Sequence, residues 1–157
     1  PGASVVPDYC RATYDRRLLT GETKESVLAP LQELLDSMMK EDPQLKAKVS
    51  YAVGQEKCWT GETIEAERFF PGWLFDKNED WVQNIYKEMK EIGLNPTMTN
   101  YDFCTNASHY AGEAGIRSVG VGPSLETLAH TINEYIEIDQ LNKVMESYYG
   151  VMKALLK

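Results

Sequence analysis

The chain has 157 residues, 43% of them hydrophobic, which is enough for a packed core in one domain or two small lobes. Sixteen Lys and Arg against 24 Asp and Glu give a formal net charge of −8, which disfavours nucleic acid and anionic membrane surfaces as partners. No run of about eighteen apolar residues indicates a membrane span, and the opening PGASVVPDYC lacks the pattern of a secretory signal.

The N-terminal part predicts a strand, a helix and two further strands in chain order. Residues 10–19, CRATYDRRLL, alternate with a period of two and predict a strand with one polar face. In residues 23–42 apolar side chains recur every three or four positions, which predicts a helix whose start Pro30 kinks or delays. Residues 46–53 alternate again and predict a second strand, and TIEAERFF at 63–70 predicts a third.

The C-terminal part predicts two long helices with a mixed segment between them. Asp80 is the predicted N-cap of the first helix, and residues 98–123 predict a strand, a short helix and a strand. Asp139 is the predicted N-cap of a closing helix with an uninterrupted apolar stripe. The chain therefore predicts an α/β (α+β) fold, and the change of pattern divides it into lobes 1–95 and 96–157.

The three cysteines, Cys10, Cys58 and Cys104, are odd in number and far apart. Small secreted domains carry dense, even sets of cysteines, so this spacing favours reduced thiols and predicts a cytoplasmic protein. Two interpretations of the thiols remain open. Cys104 and His109 are two potential ligands of a structural zinc, or all three thiols are small buried hydrophobes.

The stretch GPSLETLAHTINEYI at 122–136 places His130 after a Gly-Pro turn that follows a predicted strand. Open α/β sheets place their sites at the C-terminal ends of strands, which favours a functional histidine. A lone loop histidine is also a common solvent-facing or capping residue. The residue type alone does not decide between these interpretations.

Two motifs together resemble a known family. The run AGIRSVGVGPSLETLAHTINEYIEIDQL at 114–141 resembles the C-terminal signature of the co-catalytic zinc aminoacylase, carboxypeptidase and deacetylase family, which includes acetylornithine deacetylase and succinyl-diaminopimelate desuccinylase. YDRRLLTGET at 14–23 is similar to the family's Asp-x-Arg-x-x-Pro-Gly-Glu stretch. The resemblance implies that residues 1–95 are half of a ferredoxin-like lid or dimerisation domain. It implies that residues 96–157 are the C-terminal α/β segment of the zinc-peptidase catalytic domain.

The resemblance also implies a metal ligand and its support. His130 falls on the family's last metal ligand, a neutral imidazole on one of two zinc ions, although one imidazole suits cobalt or manganese equally well. Asn133 and Glu134 fall where relatives carry residues that fix this ring.

Substrate contacts are implied at three further positions. Arg17 matches an arginine that binds the substrate's carboxylate, with a salt bridge inside the lid sheet as the alternative. Gly122 and Asn106 fall where relatives line the substrate cleft, and His109 beside them is expected to be a local hydrogen bonder rather than a ligand. Two departures are Thr20 and Arg117, where the family usually has proline. Many relatives carry an aspartate near Asn106, so the resemblance does not identify the substrate.

The family's other metal ligands and its general base precede the lid and are not in this sequence, which also begins without Met. We therefore expect a C-terminal fragment, inactive alone, of an enzyme that hydrolyses a peptide or N-acyl amide bond with two metal ions. The resemblance implies a homodimer formed through the lid, a small peptide or N-acyl amino acid as substrate, and neither nucleic acid nor membrane as partner. The alternative is a non-enzymatic α/β dimerisation or interaction module that pairs through an exposed sheet edge.

Overall fold

The computed structural model describes residues 4–156, which contain three long helices and one small sheet. This mixture confirms the predicted α/β class. Two compact units divide the chain, one ending at Gly72 and the other beginning at Trp73. Every helix among residues 4–156 is too short or too polar to cross a membrane. The elements are α1 (Lys24–Glu41), β1 (Val53–Lys57), β2 (Thr63–Glu67), α2 (Asp80–Glu91), a π-helical segment (Ser108–Glu113), a 3₁₀ turn (Glu126–Leu128) and α3 (Ile138–Leu155).

Helix α1 confirms the predicted helix and begins with a reciprocal cap. The backbone N–H of Ser26 donates to Thr23 Oγ1 at 3.1 Å, and the backbone N–H of Thr23 donates to Ser26 Oγ at 2.9 Å. Two backbone donors that a helix start leaves without partners are thereby satisfied. Pro30 lies inside the helix without ending it. The cap therefore sets the start of α1 at Lys24, ahead of the proline.

The sheet is an antiparallel pair whose register runs from Val53 opposite Glu67 to Lys57 opposite Thr63. The strand predicted at 63–70 is confirmed over its first five residues. The strand predicted at 46–53 is wrong, because the ladder begins only at Val53.

The strand predicted at 10–19 is also wrong, since the structure assigns no strand there. Pairing near it is limited to one isolated parallel bridge between Thr20 and Gly72. A Cβ atom at Gly72 would lie 2.9 Å from the carbonyl oxygen of Leu18, so this close approach requires glycine. Alternation gives a segment two faces, but a strand also needs a backbone partner along its length.

In the first unit, the start of α1 packs against the residues around β2. Phe69 is buried, with the ring of Tyr51 edge-on at 5.4 Å between centroids. Lys24 Nζ lies 5.6 Å from the Phe69 centroid and pairs with Glu67 Oε2 at 2.8 Å. The hydroxyl of Tyr51 donates to the carbonyl of Lys24 at 3.1 Å, and desolvation by burial raises the pKa of this phenol. These contacts fix the first turn of α1 to the sheet.

In the second unit, α2 packs against α3 through a close contact at Gly150. A Cβ atom there would lie 3.2 Å from Ile92 Cδ1 and 3.4 Å from Met89 Cγ. Beside this contact Glu88, which is 2% exposed, pairs with Lys153 Nζ at 3.1 Å. Apolar packing and one ion pair therefore join the two helices.

Both long helices of this unit were predicted, but their caps were not. The N-cap of α2 is Glu79 rather than Asp80, and the N-cap of α3 is Glu137 rather than Asp139. The Glu79 carboxylate accepts from Trp81 Nε1 at 2.7 Å instead of capping the backbone. Each aspartate lies inside the first turn, where its charge still favours the helix start.

Residues 98–123 contain the predicted short helix, at Ser108–Glu113, but neither predicted strand forms. A strand needs a neighbouring strand to pair with, and no other segment of the described second unit forms an extended ladder with residues 98–123. Along the chain the first compact unit ends at Gly72 and the second begins at Trp73, and α2 packs with α3 within the second unit. The assignment of residues 1–95 to a lid and 96–157 to a catalytic domain concerns the parent protein and stays a prediction.

Candidate metal-ligand loop

His130 lies in the loop between the 3₁₀ turn and α3. Its backbone N–H donates to Glu134 Oε2 at 3.2 Å, so the carboxylate supports the main chain of the histidine rather than its ring. Within residues 4–156 neither ring nitrogen has a hydrogen-bond partner, and the residue is exposed. The loop therefore leaves the imidazole of His130 exposed while a neighbouring side chain holds its backbone.

Three non-glycine residues of this loop have left-handed backbone conformations. Ser124 has a φ of 74°, and His130 and Asn133 each have a φ of 62°. No other non-glycine residue among residues 4–156 has a positive φ. Such conformations cost on the order of 1–3 kcal/mol each and persist only where surrounding contacts hold them. The shape of residues 124–133 is therefore set by specific partners rather than by backbone preference.

Those partners come from the loop itself and from α3. The backbone N–H of Ser124 donates to Gln140 Oε1 at 2.6 Å, and the Ser124 hydroxyl donates to the carbonyl of Tyr135 at 3.2 Å. The hydroxyl of Tyr148 donates to the carbonyl of Val121 at 3.3 Å. Sequence reasoning missed Gln140 and Tyr148, because both contact residues that are far away along the sequence.

A second segment lies beside the loop. The backbone N–H of Asp102 donates to Glu126 Oε1 at 2.7 Å. The rings of Tyr101 and Phe103 stack at 4.9 Å between centroids, and a Cβ atom at Gly120 would clash with Tyr101 Cε2. Residues 101–103 therefore pack on the backbone that leads into the His130 loop. That approach needs glycine at position 120.

The two predicted cleft residues are both exposed. Gly122 has open space around the position of a Cβ atom, and Asn106 accepts at its backbone carbonyl from the N–H of His109 at 3.1 Å. His109 Nδ1 lies 2.8 Å from Glu113 Oε2, one helical turn later. This contact confirms the predicted local role of His109. The two histidines thus differ, because a carboxylate contacts the ring of His109, whereas the carboxylate near His130 contacts its backbone N–H.

The thiols do not form a metal site with these residues. Among residues 4–156 no group of three or more His, Cys, Asp or Glu side chains is placed to hold a metal ion. The interpretation of all three thiols as buried is wrong, because Cys10 and Cys104 are exposed and Cys58 is half-buried. A zinc ion usually has about four ligands, and one imidazole supplies one of them. The described residues can therefore supply one ligand of a metal site but not the whole site.

Arg17 belongs to the first unit and makes a local ion pair. Its Nη2 atom lies 3.4 Å from Asp15 Oδ2, and 66% of its side chain is exposed. An exposed pair of this kind is weak, so the guanidinium can exchange Asp15 for another carboxylate. Next to it, the backbone N–H of Leu19 donates to Glu22 Oε2 at 2.7 Å, and this bond, with Arg16 nearby, lowers the pKa of Glu22.

A family model described as peptidase family M20/M25/M40 matches residues 20–154, which include His130, Asn106 and Gly122 but not Arg17. The chain is 31% identical over 135 residues to the uncharacterized protein YgeY of Escherichia coli strain K12, and equally to that of strain O157:H7. The aligned region covers 85% of this chain and 32% of each relative, so the chain spans about a third of the curated relatives' length. No solved structure matches significantly. The resemblance inferred from the sequence is confirmed at the level of the family: the chain belongs to peptidase family M20/M25/M40.

Proposed function

We propose that this chain is the C-terminal part of a dinuclear-metal hydrolase of peptides or N-acyl amides, similar to acetylornithine deacetylase and succinyl-diaminopimelate desuccinylase. Family membership supports hydrolysis as the reaction class. The observation that carries the proposal is the exposed imidazole of His130, held on a left-handed turn by the carboxylate of Glu134. An unengaged ring nitrogen on a fixed backbone is suited to binding a metal ion.

Each residue has a role that its own chemistry allows. His130 would hold zinc, or cobalt or manganese, through a ring nitrogen, while Glu134 and Asn133 would keep the turn that carries it. Bound metal would act as a Lewis acid on the carbonyl of the scissile amide. Arg17 binds the substrate's carboxylate with its planar fork, and Asn106 and Gly122 line the cleft.

The parent protein's other properties are part of the same proposal. It is a cytoplasmic homodimer joined through the lid, it acts on small peptides or N-acyl amino acids, and this chain alone is inactive. The exposed thiols of Cys10 and Cys104 suit a reducing compartment. In the described residues β1 and β2 pair only with each other, and their outer edges leave backbone groups that a second sheet edge can pair with.

The test uses the full-length protein that contains this chain. His130→Ala should remove one equivalent of bound metal and most of the hydrolytic activity, because one metal ligand is lost. His109→Ala is the matched control and should keep both, since its ring contacts Glu113. Metal content is measured by inductively coupled plasma mass spectrometry and activity with a panel of N-acyl amino acids and dipeptides. Unchanged metal content in His130→Ala contradicts the ligand assignment.

Arg17 is tested by a separation of kinetic constants. Arg17→Ala should raise KM for carboxylate-bearing substrates and leave kcat little changed, because it removes binding shared by ground and transition states. Arg11→Ala, an exposed arginine in the same segment, is the control. A full-length protein without bound metal or hydrolysis, but with a stable dimer, would favour the interaction module instead.

A further inference from the structure

We propose that Gln140 is a positioning residue that holds the His130 loop in its metal-binding shape; this inference rests on the proposed role of His130. The loop contains three left-handed non-glycine residues, so its backbone does not favour this shape on its own. Ser124 has the highest φ of the three and begins the strained stretch. The hydrogen bonds of Ser124 therefore help to hold the turn in this shape.

The Ser124 hydroxyl donates to the carbonyl of Tyr135, and the Ser124 backbone N–H donates to the side chain of Gln140. Its Oε1 atom accepts from the backbone N–H of Ser124 at 2.6 Å, across 16 positions of sequence, and both residues are half-buried. An N–H that is partly withdrawn from water and loses its acceptor destabilises the conformation that withdraws it. Loss of this bond should therefore loosen the left-handed turn at Ser124.

Gln140 is suited to this task because of where it lies. It occupies the first turn of α3, and this helix is fixed to α2 by the Gly150 contact and by the pair of Lys153 with Glu88. The side chain of Gln140 therefore holds the loop in a fixed place relative to α3. Tyr148, two turns along the same helix, holds Val121 just before the loop. Both attachments come from one helix, so the loop moves with α3.

The expected effect is on geometry rather than on chemistry. The side chain of Gln140 bonds to Ser124 and not to His130, so its loss should make the position of the imidazole less fixed without removing a metal ligand. A displacement of about 1 Å of a reacting group can cost about a hundredfold in rate. Residues that orient metal ligands typically contribute about ten- to a hundredfold in metal affinity or activity. We expect Gln140 to fall in this range.

The experiment compares three substitutions in the full-length protein. Gln140→Met keeps the length of the side chain and removes the acceptor, whereas Gln140→Glu keeps an acceptor oxygen. Asn142→Met, at an exposed position of the same helix, controls for the added apolar side chain. Gln140→Met should lower metal affinity and kcat by about ten- to a hundredfold, with a smaller change in KM. Gln140→Glu should recover most of the loss, and Asn142→Met should match the parent protein.

A second readout is independent of activity. Backbone ¹⁵N relaxation of the full-length protein should show increased motion at the amides of residues 124–134 in Gln140→Met, with α1 unchanged. Gln140→Ala gives the same test if Gln140→Met lowers the yield of folded protein. The inference is overturned if loop motion and metal affinity are unchanged, or if Gln140→Glu loses as much as Gln140→Met. If His130→Ala itself leaves metal and activity intact, the proposed function fails, while the relaxation data still decide whether Gln140 holds the loop.

Discussion

The contact between α2 and α3 at Gly150 allows a quantitative stability prediction. Replacing glycine by alanine inside a helix gains about 1 kcal/mol from backbone entropy. The new Cβ atom would lie 3.2 Å from Ile92 Cδ1 and 3.4 Å from Met89 Cγ. These are side-chain atoms that can shift by a few tenths of an ångström, so the clash is small. We expect Gly150→Ala to raise the free energy of unfolding, by up to about 1 kcal/mol.

Leucine at the same position should have the opposite effect. Its additional carbons would meet Met89 Cα, which lies 3.5 Å from the Cβ position and belongs to the backbone of α2. Overpacking of this kind costs about 1–3 kcal/mol, which outweighs the gain in helix propensity. Gly150→Leu should therefore lower the free energy of unfolding and weaken the α2–α3 contact.

Urea denaturation followed by circular dichroism measures both variants, with the midpoint and slope fitted together. Glu146→Leu, at an exposed position of α3, controls for a leucine added to the helix surface. If Gly150→Leu is as stable as Gly150→Ala, the two helices are not in close contact at this point and the reasoning is refuted.

Two further predictions concern the first unit. Thr23→Ala should lower the free energy of unfolding by about 1 kcal/mol, because it removes the hydroxyl that caps α1; Thr23→Ser should retain it, and equal urea midpoints for the two variants would contradict the cap. The backbone N–H of Leu19 lowers the pKa of Glu22 in the folded state, so its contribution is complete above the unfolded pKa, near 4.5, and is lost as pH falls through the folded pKa. Glu22→Gln should therefore flatten the acid side of the stability profile below pH 4.5, as measured by urea titrations at several pH values, and a slope as steep as the parent's would rule this bond out.

The helices could be predicted from the sequence because their signals are local. The apolar spacing in residues 23–42 and the stripe that closes the chain each lie within one element, so periodicity alone locates them. The caps of α2 and α3 were misassigned by one and two residues because acidic side chains near a helix start look alike in sequence. The strand at 10–19 could not be judged in this way, because pairing depends on a partner elsewhere in the chain.

Some residues of the candidate site could be predicted from the sequence, and others could not. His130 stands in a motif that can be read along the sequence, and so do Asn133 and Glu134. Gln140 could not be identified, since its bond to Ser124 spans 16 positions and exists only when the turn takes up a left-handed conformation. Contacts of this length depend on tertiary geometry that no local pattern records.

The ion pair of Glu88 with Lys153 has a consequence for how α2 and α3 can move. Apolar side chains tolerate sliding, because one hydrophobic neighbour replaces another at little cost. The carboxylate of Glu88, which is 2% exposed, does not tolerate such sliding. A shift of one helical turn, about 5.4 Å, would carry the ammonium group of Lys153 out of its reach. The pair therefore favours one register of α3 on α2, and the contacts that Gln140 and Tyr148 make from α3 depend on that register.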